Sequence, residues 1–239
     1  MQAADFWIKL LFPPRCGYCN AVLGFAPCCD ACEAALPSVR REAGQALDKT
    51  RHTLGFVDVA LAPFQYLPPV KGAILRFKFA GRVDLAAFFA QELFFTINTC
   101  KTLPVFDIIV AVPSGKRELR RRGYDVPALL ASALAKRLGV PFIKGALIKP
   151  YDTTPQMQLR GDARRANLIG AFEAACPEQL AGKQVLLVDD VITTGATVNE
   201  CAKTVRLANA KGCSAVCIAV AGDEASSPAT GNAGFVTLA

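Results

Sequence analysis

Apolar residues recur along this chain with two periods, and the switches between them divide it into elements. Residues 107–112 (Asp-Ile-Ile-Val-Ala-Val) and 185–188 (Val-Leu-Leu-Val) are short runs without polar alternation, as in parallel strands covered on both faces. Residues 142–148 and 215–220 read as further strands, and 57–66 as a strand pair around Pro63. Between them, apolar positions return at helical spacing over 70–80, 84–99, 127–138 and 197–210. The helix of 127–138 opens on Pro127 and stops before Gly139, the usual asymmetry of helix ends. Strands alternating with helices imply an α/β fold with a mostly parallel sheet flanked by helices.

Three stretches fall outside this alternation. Residues 1–36 carry a cluster of cysteines, and residues 37–55 turn polar, with Arg40, Arg41, Glu42, Asp48, Lys49 and Arg51. The second stretch reads as a linker or short surface helix. Its His52 is the only histidine of the chain, and it reads as exposed and without a catalytic partner. Beyond residue 221 the chain becomes rich in Ser, Pro, Ala, Thr and Gly, which predicts a disordered tail over 222–239. The expected organisation is therefore a small unit at 1–36, a linker at 37–55, an α/β domain at 56–221 and the tail.

With 239 residues, 52% of them apolar, the chain can bury one substantial core plus a small appendage. No uncharged stretch approaches the roughly 20 residues that cross a bilayer. The longest, 85–97, is broken by Gln91 and Glu92, and the run 6–12 is interrupted by Lys9 and ends at Pro13, too short for a secretion signal. A cytoplasmic location is expected. The formal net charge of +7 admits anionic ligands or nucleic acid and selects neither.

Five of the ten cysteines lie between residues 16 and 32. Cys16-Gly-Tyr-Cys19 and Cys29-Asp-Ala-Cys32 are two C-x-x-C pairs, the spacing that lets thiolates converge on one zinc ion. Cys28 is an alternative to Cys29. So short a segment has almost no core of its own, and metal binding worth on the order of 10 kcal/mol would decide whether it folds. Structural Zn²⁺ is the favoured reading over buried free thiols or a redox pair. Cys100, Cys176, Cys201, Cys213 and Cys217 are scattered and read as core or surface fillers.

The strongest chemical signal follows the strand 185–188. Asp189 and Asp190 would emerge at its carboxyl end, where open α/β sheets form their ligand crevice. Ionised carboxylates accept hydrogen bonds, which suits the vicinal hydroxyls of a ribose. Thr193, Thr194, Gly195, Ala196 and Thr197 then offer amide donors and hydroxyls at a helix start, where a phosphate is favoured. The plainer alternative is an ordinary strand-to-helix connection. A second such turn, Pro113-Ser114-Gly115-Lys116, runs into Arg117 and a stretch with five cations in the seven residues 116–122. That stretch suits phosphates, nucleic acid or simple solvation. Gln156, Arg160, Arg164, Arg165 and Asn167 lie in a segment that could close over a substrate or could be a surface loop.

The core Asp-Asp-Val-x-Thr-Thr-Gly-x-Thr, at 189–197, resembles the signature of the type I phosphoribosyltransferases, whose ligand is phosphoribosyl pyrophosphate. A wider resemblance is to the ComF family, phosphoribosyltransferase-like proteins associated with competence and DNA uptake. It is carried by Lys71-Gly-Ala-Ile-Leu-Arg-Phe-Lys-Phe79, by 117–123, by Thr153, Gln156, Leu159, Arg164 and Asn167 followed by Gly170-Ala-Phe172, and by the cysteine block. It covers most of residues 16–220.

The resemblance implies a type I phosphoribosyltransferase fold with an N-terminal four-cysteine zinc knuckle formed by Cys16, Cys19, Cys29 and Cys32. It implies phosphoribosyl transfer assisted by Mg²⁺, with Asp189 and Asp190 as the catalytic acids at the ribose and Thr193, Thr194, Gly195, Ala196 and Thr197 at the 5′-phosphate. Ser114, Gly115, Lys116 and Arg117 would hold the pyrophosphate, and Gln156, Arg164 and Asn167 would form a flap. It also implies partners in DNA uptake, single-stranded DNA and a helicase, through which the protein would reach the inner membrane. Where the family continues Gly-Phe-Asn-Gln, this chain has Gly123-Tyr124-Asp125-Val126, an acid in place of an amide. Tyr124 retains an aromatic face that could stack on a base.

Two other functions fit the same residues. One is a non-catalytic adaptor binding single-stranded DNA or a helicase, with Arg15, Tyr18 and Phe25 of the knuckle as a docking element. The other is a phosphoribosyltransferase of the purine-salvage type.

Overall fold

The computed structural model describes residues 13–23, 28–150 and 170–222. In chain order the strands are β1 (Ala60–Leu61), β2 (Phe64–Gln65), β3 (Ile108–Ala111), β4 (Leu147–Ile148), β5 (Glu173–Ala174), β6 (Gln184–Ile192) and β7 (Gly212–Val220). The α-helices are α1 (Asp30–Ala35), α2 (Val70–Phe79), α3 (Leu85–Thr99), α4 (Lys116–Arg122), α5 (Val126–Leu138), α6 (Pro177–Leu180) and α7 (Ala196–Leu207).

The main sheet has the order β1-β7-β6-β3, with β2 also on β7, and every pairing in it is parallel. All nine residues of β7 are buried, which explains the unbroken apolar run of a central strand. Side chains of β6 alternate between two cores. Leu186 and Val188 face α2, α3 and α5, whereas Val185 and Leu187 face α7, packing with Val198, Cys201, Ala202 and Val205. The sheet is thus covered on both faces, as the strand composition requires. Cys201, Cys213 and Cys217 are buried filler in the second of these cores.

Four expectations need correction. β6 does not stop before the acids but runs on to Ile192, because β7 continues to pair with it through Val191↔Ala219 and Ile192↔Val220. Residues 142–148 are not one strand: Phe142 makes a single parallel bridge to Ile109, and β4 pairs antiparallel with β5 in a separate ribbon. β1 and β2 both pair with β7 rather than with each other. His52 is not exposed; it is 3% accessible. Residues 40 and 46 bridge to Phe64 and Leu61, so the polar stretch before β1 lies along the sheet edge. Among the described residues no helix is long and apolar enough to cross a membrane.

Candidate functional site

The pairing of β3 with β6 ends at Ala111↔Val188, and Pro113, which has no amide to donate, turns the chain away. Asp189 and Asp190 lie just past that point, on the stretch of β6 still held by β7. The strand alternation sends them to opposite sides. Asp190, 6% accessible, is on the side of α2, and its carboxylate lies 2.7 Å from the Lys78 ammonium. α2 buries Val70, Ala73, Ile74 and Phe77 at helical spacing, which leaves Lys78 in its last turn at the rim of the sheet.

Asp189 accepts a hydrogen bond from the Asp190 amide at 2.8 Å. Burial, and then the charge of Asp190, push its carboxyl up to about 8, against the pull of Lys78. The shift favours the protonated form, in which the side chain can donate as well as accept. Sequence reading treated both acids as ionised acceptors and gave no part to Lys78. The alternation of β6 and the helical spacing of α2 were the available signals.

Thr193 and Thr194 follow β6, and Gly195 takes a left-handed φ of +79° as it caps the first turn of α7. The Thr193 and Thr194 carbonyls are engaged from outside: His52 Nδ1 lies 2.8 Å from the first, and the Thr53 amide donates to the second at 2.9 Å. Thr194 Oγ1 accepts from the Ala196 amide at 3.4 Å, closing the turn, and Thr197 sits half-buried in α7. The loop thus keeps its fixed carbonyls away from the crevice.

The second loop leaves β3 through Pro113 and Ser114 to Gly115, the N-terminal cap of α4. Ser114 Oγ donates to Asp125 Oδ1 at 3.0 Å, and the same oxygen accepts the Ala128 amide at 3.4 Å, capping α5. The acid at the family's amide position thereby ties this loop to the start of α5. Burial raises the Asp125 carboxyl, its hydrogen bonds oppose that, and the charge of Asp190 adds to it. Lys116 Nζ donates to the Pro150 carbonyl at 2.8 Å, and Arg117 lies on the exposed side of α4. Tyr124 Oη donates to the Phe77 carbonyl at 2.6 Å, tying the loop to α2. Behind this loop a cavity of about 410 Å³ is lined by Pro113, Tyr124, Asp125, Phe142 and Lys144, among others. Gln156, Arg164 and Asn167 lie outside the described residues.

At the other end of the chain, the Sγ atoms of Cys16, Cys19, Cys29 and Cys32 all lie within 4.8 Å of one another. Tetrahedral zinc with bonds of about 2.3 Å needs sulfurs about 3.8 Å apart, so the group fits such an ion. Cys29 completes the four, while Cys28 stands beside it with Sγ 3.9 Å from Cys16. Burial opposes ionisation of Cys16, but amide donors from Cys19, Cys29 and Tyr18 outweigh it and bring the thiol down to about 6.

Tyr18, between the first two cysteines, is 2% accessible and points into the main core. Its ring meets Phe88 and Phe64 edge-on at 5.0 and 6.0 Å, and its hydroxyl donates to Glu92 at 3.1 Å. That burial removes Tyr18 from any nucleic-acid platform. Phe25 is outside the described residues.

Residues 128–236 match the family model "Phosphoribosyl transferase domain". The matched span contains β6, its acids and α7, and leaves out the knuckle, His52 and Lys78. Competence protein F of Haemophilus influenzae is 29% identical over 195 residues, 80% of this chain and 83% of that one. DNA utilization protein YhgH of Escherichia coli K12 is 30% identical over 213 residues, 81% of this chain and 91% of that one. The YhgH protein of Salmonella typhimurium LT2 is 32% identical over 194 residues, 79% and 82% of the two chains. Among solved structures, adenine phosphoribosyltransferase from Thermoanaerobacter pseudethanolicus superposes with a TM-score of 0.37 at 19% identity, covering 62% of this chain and 84% of that one.

Proposed function

The chain belongs to the ComF family of competence and DNA-utilization proteins, and from that premise we propose that its crevice binds phosphoribosyl pyrophosphate and transfers the phosphoribosyl group to an acceptor. The observation that carries this reading is the placement of two acids and a glycine-turned helix start at the point where β3 departs from β6. A phosphate at residues 193–197 meets amide donors and the positive end of α7. A ribose held from that phosphate then reaches Asp189 and Asp190.

In the transfer, the bond from the anomeric carbon to the pyrophosphate oxygen breaks, its electron pair leaves with the pyrophosphate, and the acceptor forms the new bond. The carboxylate of Asp190, and that of Asp189 in its ionised form, stabilise positive charge developing on the ribosyl ring, and the loop at Ser114 and Gly115 receives the leaving group. Mg²⁺ would come chelated by the pyrophosphate and ribose hydroxyls, supplying charge neutralisation at the leaving group. The residues agree with delivery by substrate: Lys78 already pairs with Asp190, and burial disfavours a charge on Asp189, so the acids are no ready cage for a free cation. Lys78 holds Asp190 in place and offsets its charge. In the cell the reaction would serve DNA uptake, as the name of the Haemophilus relative suggests.

Calorimetric titration with phosphoribosyl pyrophosphate and Mg²⁺ tests the site. Removing one charge-assisted hydrogen bond in Asp190→Asn should weaken binding by about ten- to a hundredfold. Equal heats from the two proteins would remove the acids from the site. Release of pyrophosphate by wild type, dependent on Asp189 and Asp190, separates turnover from binding alone.

A second reading, an adaptor for single-stranded DNA, is favoured by a different place. The guanidinium groups of Arg121 and Arg122 each lie 4.9 Å from the ring centre of Phe79, which is 53% accessible. Cations interleaved with an exposed aromatic suit a strand whose bases stack. Such binding would weaken steeply with salt and survive Asp189→Asn.

A further inference from the structure

The only histidine of the chain is buried against the loop that follows β6, more than a hundred residues away in sequence. It is delivered there by a shaped turn. Asp48 Oδ1 accepts from the Thr50 amide at 2.8 Å and from its hydroxyl at 2.6 Å, and the His52 amide donates to the Asp48 carbonyl at 3.1 Å.

From there the strap of residues 52–56 meets the loop at successive points. His52 Nδ1 lies 2.8 Å from the Thr193 carbonyl, and the Thr53 amide is 2.9 Å from the Thr194 carbonyl. Leu54 is wholly buried under Gly195, where a Cβ would come within 3.1 Å of its Cδ2, and the Phe56 amide donates to Asn199 Oδ1 at 2.9 Å. A trans peptide plane sets each carbonyl opposite the next residue's N–H. With the Thr193 and Thr194 carbonyls both turned to the strap, the amides of Thr194 and Gly195 are both turned away from it. The strap thus fixes two neighbouring donors in one direction.

We propose that His52 is a positioning residue for the phosphate of the ligand, a role that rests on reading residues 193–197 as a phosphate loop. Its bond to the Thr193 carbonyl requires a proton on Nδ1, which the imidazolium and one neutral tautomer both carry. The ligand class this serves is a sugar 5-phosphate. The strap's hydrogen bonds to Thr193, Thr194 and Asn199 fall on the loop after β6 and the start of α7, whereas Ser114 of the pyrophosphate loop bonds to Asp125.

The test titrates the full chain with ribose 5-phosphate and, separately, with inorganic pyrophosphate and Mg²⁺. In His52→Ala, ribose 5-phosphate should bind about tenfold more weakly, the effect of one hydrogen bond, with pyrophosphate changed by less than about twofold. His52→Asn, which places an amide N–H at the same remove from the backbone, should return ribose 5-phosphate affinity to within about threefold of wild type. Unchanged ribose 5-phosphate binding in His52→Ala overturns the proposal, as does equal weakening of both probes, the mark of a general structural role. Failure of wild type to bind either probe overturns the phosphate-loop reading itself and this inference with it.

Discussion

The cysteine knuckle and the crevice at the end of β6 both gather polar side chains, and they do so in opposite ways. In the knuckle the groups converge on one another: four sulfurs within 4.8 Å, seated on the core through Tyr18. In the crevice, neighbouring acids repel. Asp189 is pushed towards its protonated form, Asp190 pairs with Lys78, and the loop carbonyls are held by His52 and Thr53. The first region is complete once an ion such as zinc is supplied, whereas the second is held short of completion by the protein around it. Stability and ligand binding should therefore respond with opposite sign in the two places.

Breaking the knuckle gives the largest effect. Stripping the metal with a chelator, or Cys16→Ser, should remove about one zinc per chain and, by releasing Tyr18 from the core, lower the thermal midpoint by roughly 10 °C. Metal analysis and scanning calorimetry read both quantities. An unchanged midpoint after zinc loss would mean that the knuckle is a passenger on the domain.

Removing an acid from the crevice should do the reverse. The folded pKa of Asp189, about 8, exceeds the unfolded carboxylate value of roughly 4. The folded state therefore binds the proton more tightly. The stability this contributes is full below pH 4 or so and is lost as pH rises through about 8. Asp189→Asn should abolish that decline and exceed wild type by roughly 2 kcal/mol at pH 9, a value kept small because the carboxylate is partly open to solvent. Urea midpoints measured from pH 5 to 9 decide it. Parallel curves for the two proteins would show that the acids are not under strain.

The same contrast explains what sequence could tell. Each knuckle ligand lies within three residues of another, and the motif at 189–197 is contiguous, so local spacing revealed both. The central strands were equally plain, because residues 215–220 of β7 and 185–188 of β6 are buried on both faces and are apolar throughout. The partners of the site were hidden. Lys78 sits on a helix whose periodicity explains only its buried face, and His52 lies among Asp48, Lys49 and Arg51, a composition that reads as surface. Its burial depends on a loop brought in by the sheet. The end of β6 was misplaced for a similar reason: two acids look like a stop, but register with β7 carries the strand past them. Asp125 read as a lost amide until Ser114 and the start of α5 were seen to use it.

The smallest effect isolates how the knuckle is seated. Burial, followed by the charge of Glu92, raises the Tyr18 phenol, so it remains a donor to that carboxylate at any ordinary pH. Tyr18→Phe keeps the edge-on ring contacts with Phe64 and Phe88 and loses only this bond. Glu92 still has Arg40 at 2.9 Å, so the carboxylate is not left bare and the change should cost about 1 kcal/mol in a denaturation experiment. Tyr18→Ala, which also empties the ring's place in the core, should cost about 3–5 kcal/mol. Zinc content should be unchanged in Tyr18→Phe, because the hydroxyl faces α3 and not the sulfurs. If the phenylalanine variant lost metal, the knuckle would depend on the domain for its own closure, and the separation drawn between a self-completing region and a supported one would fail.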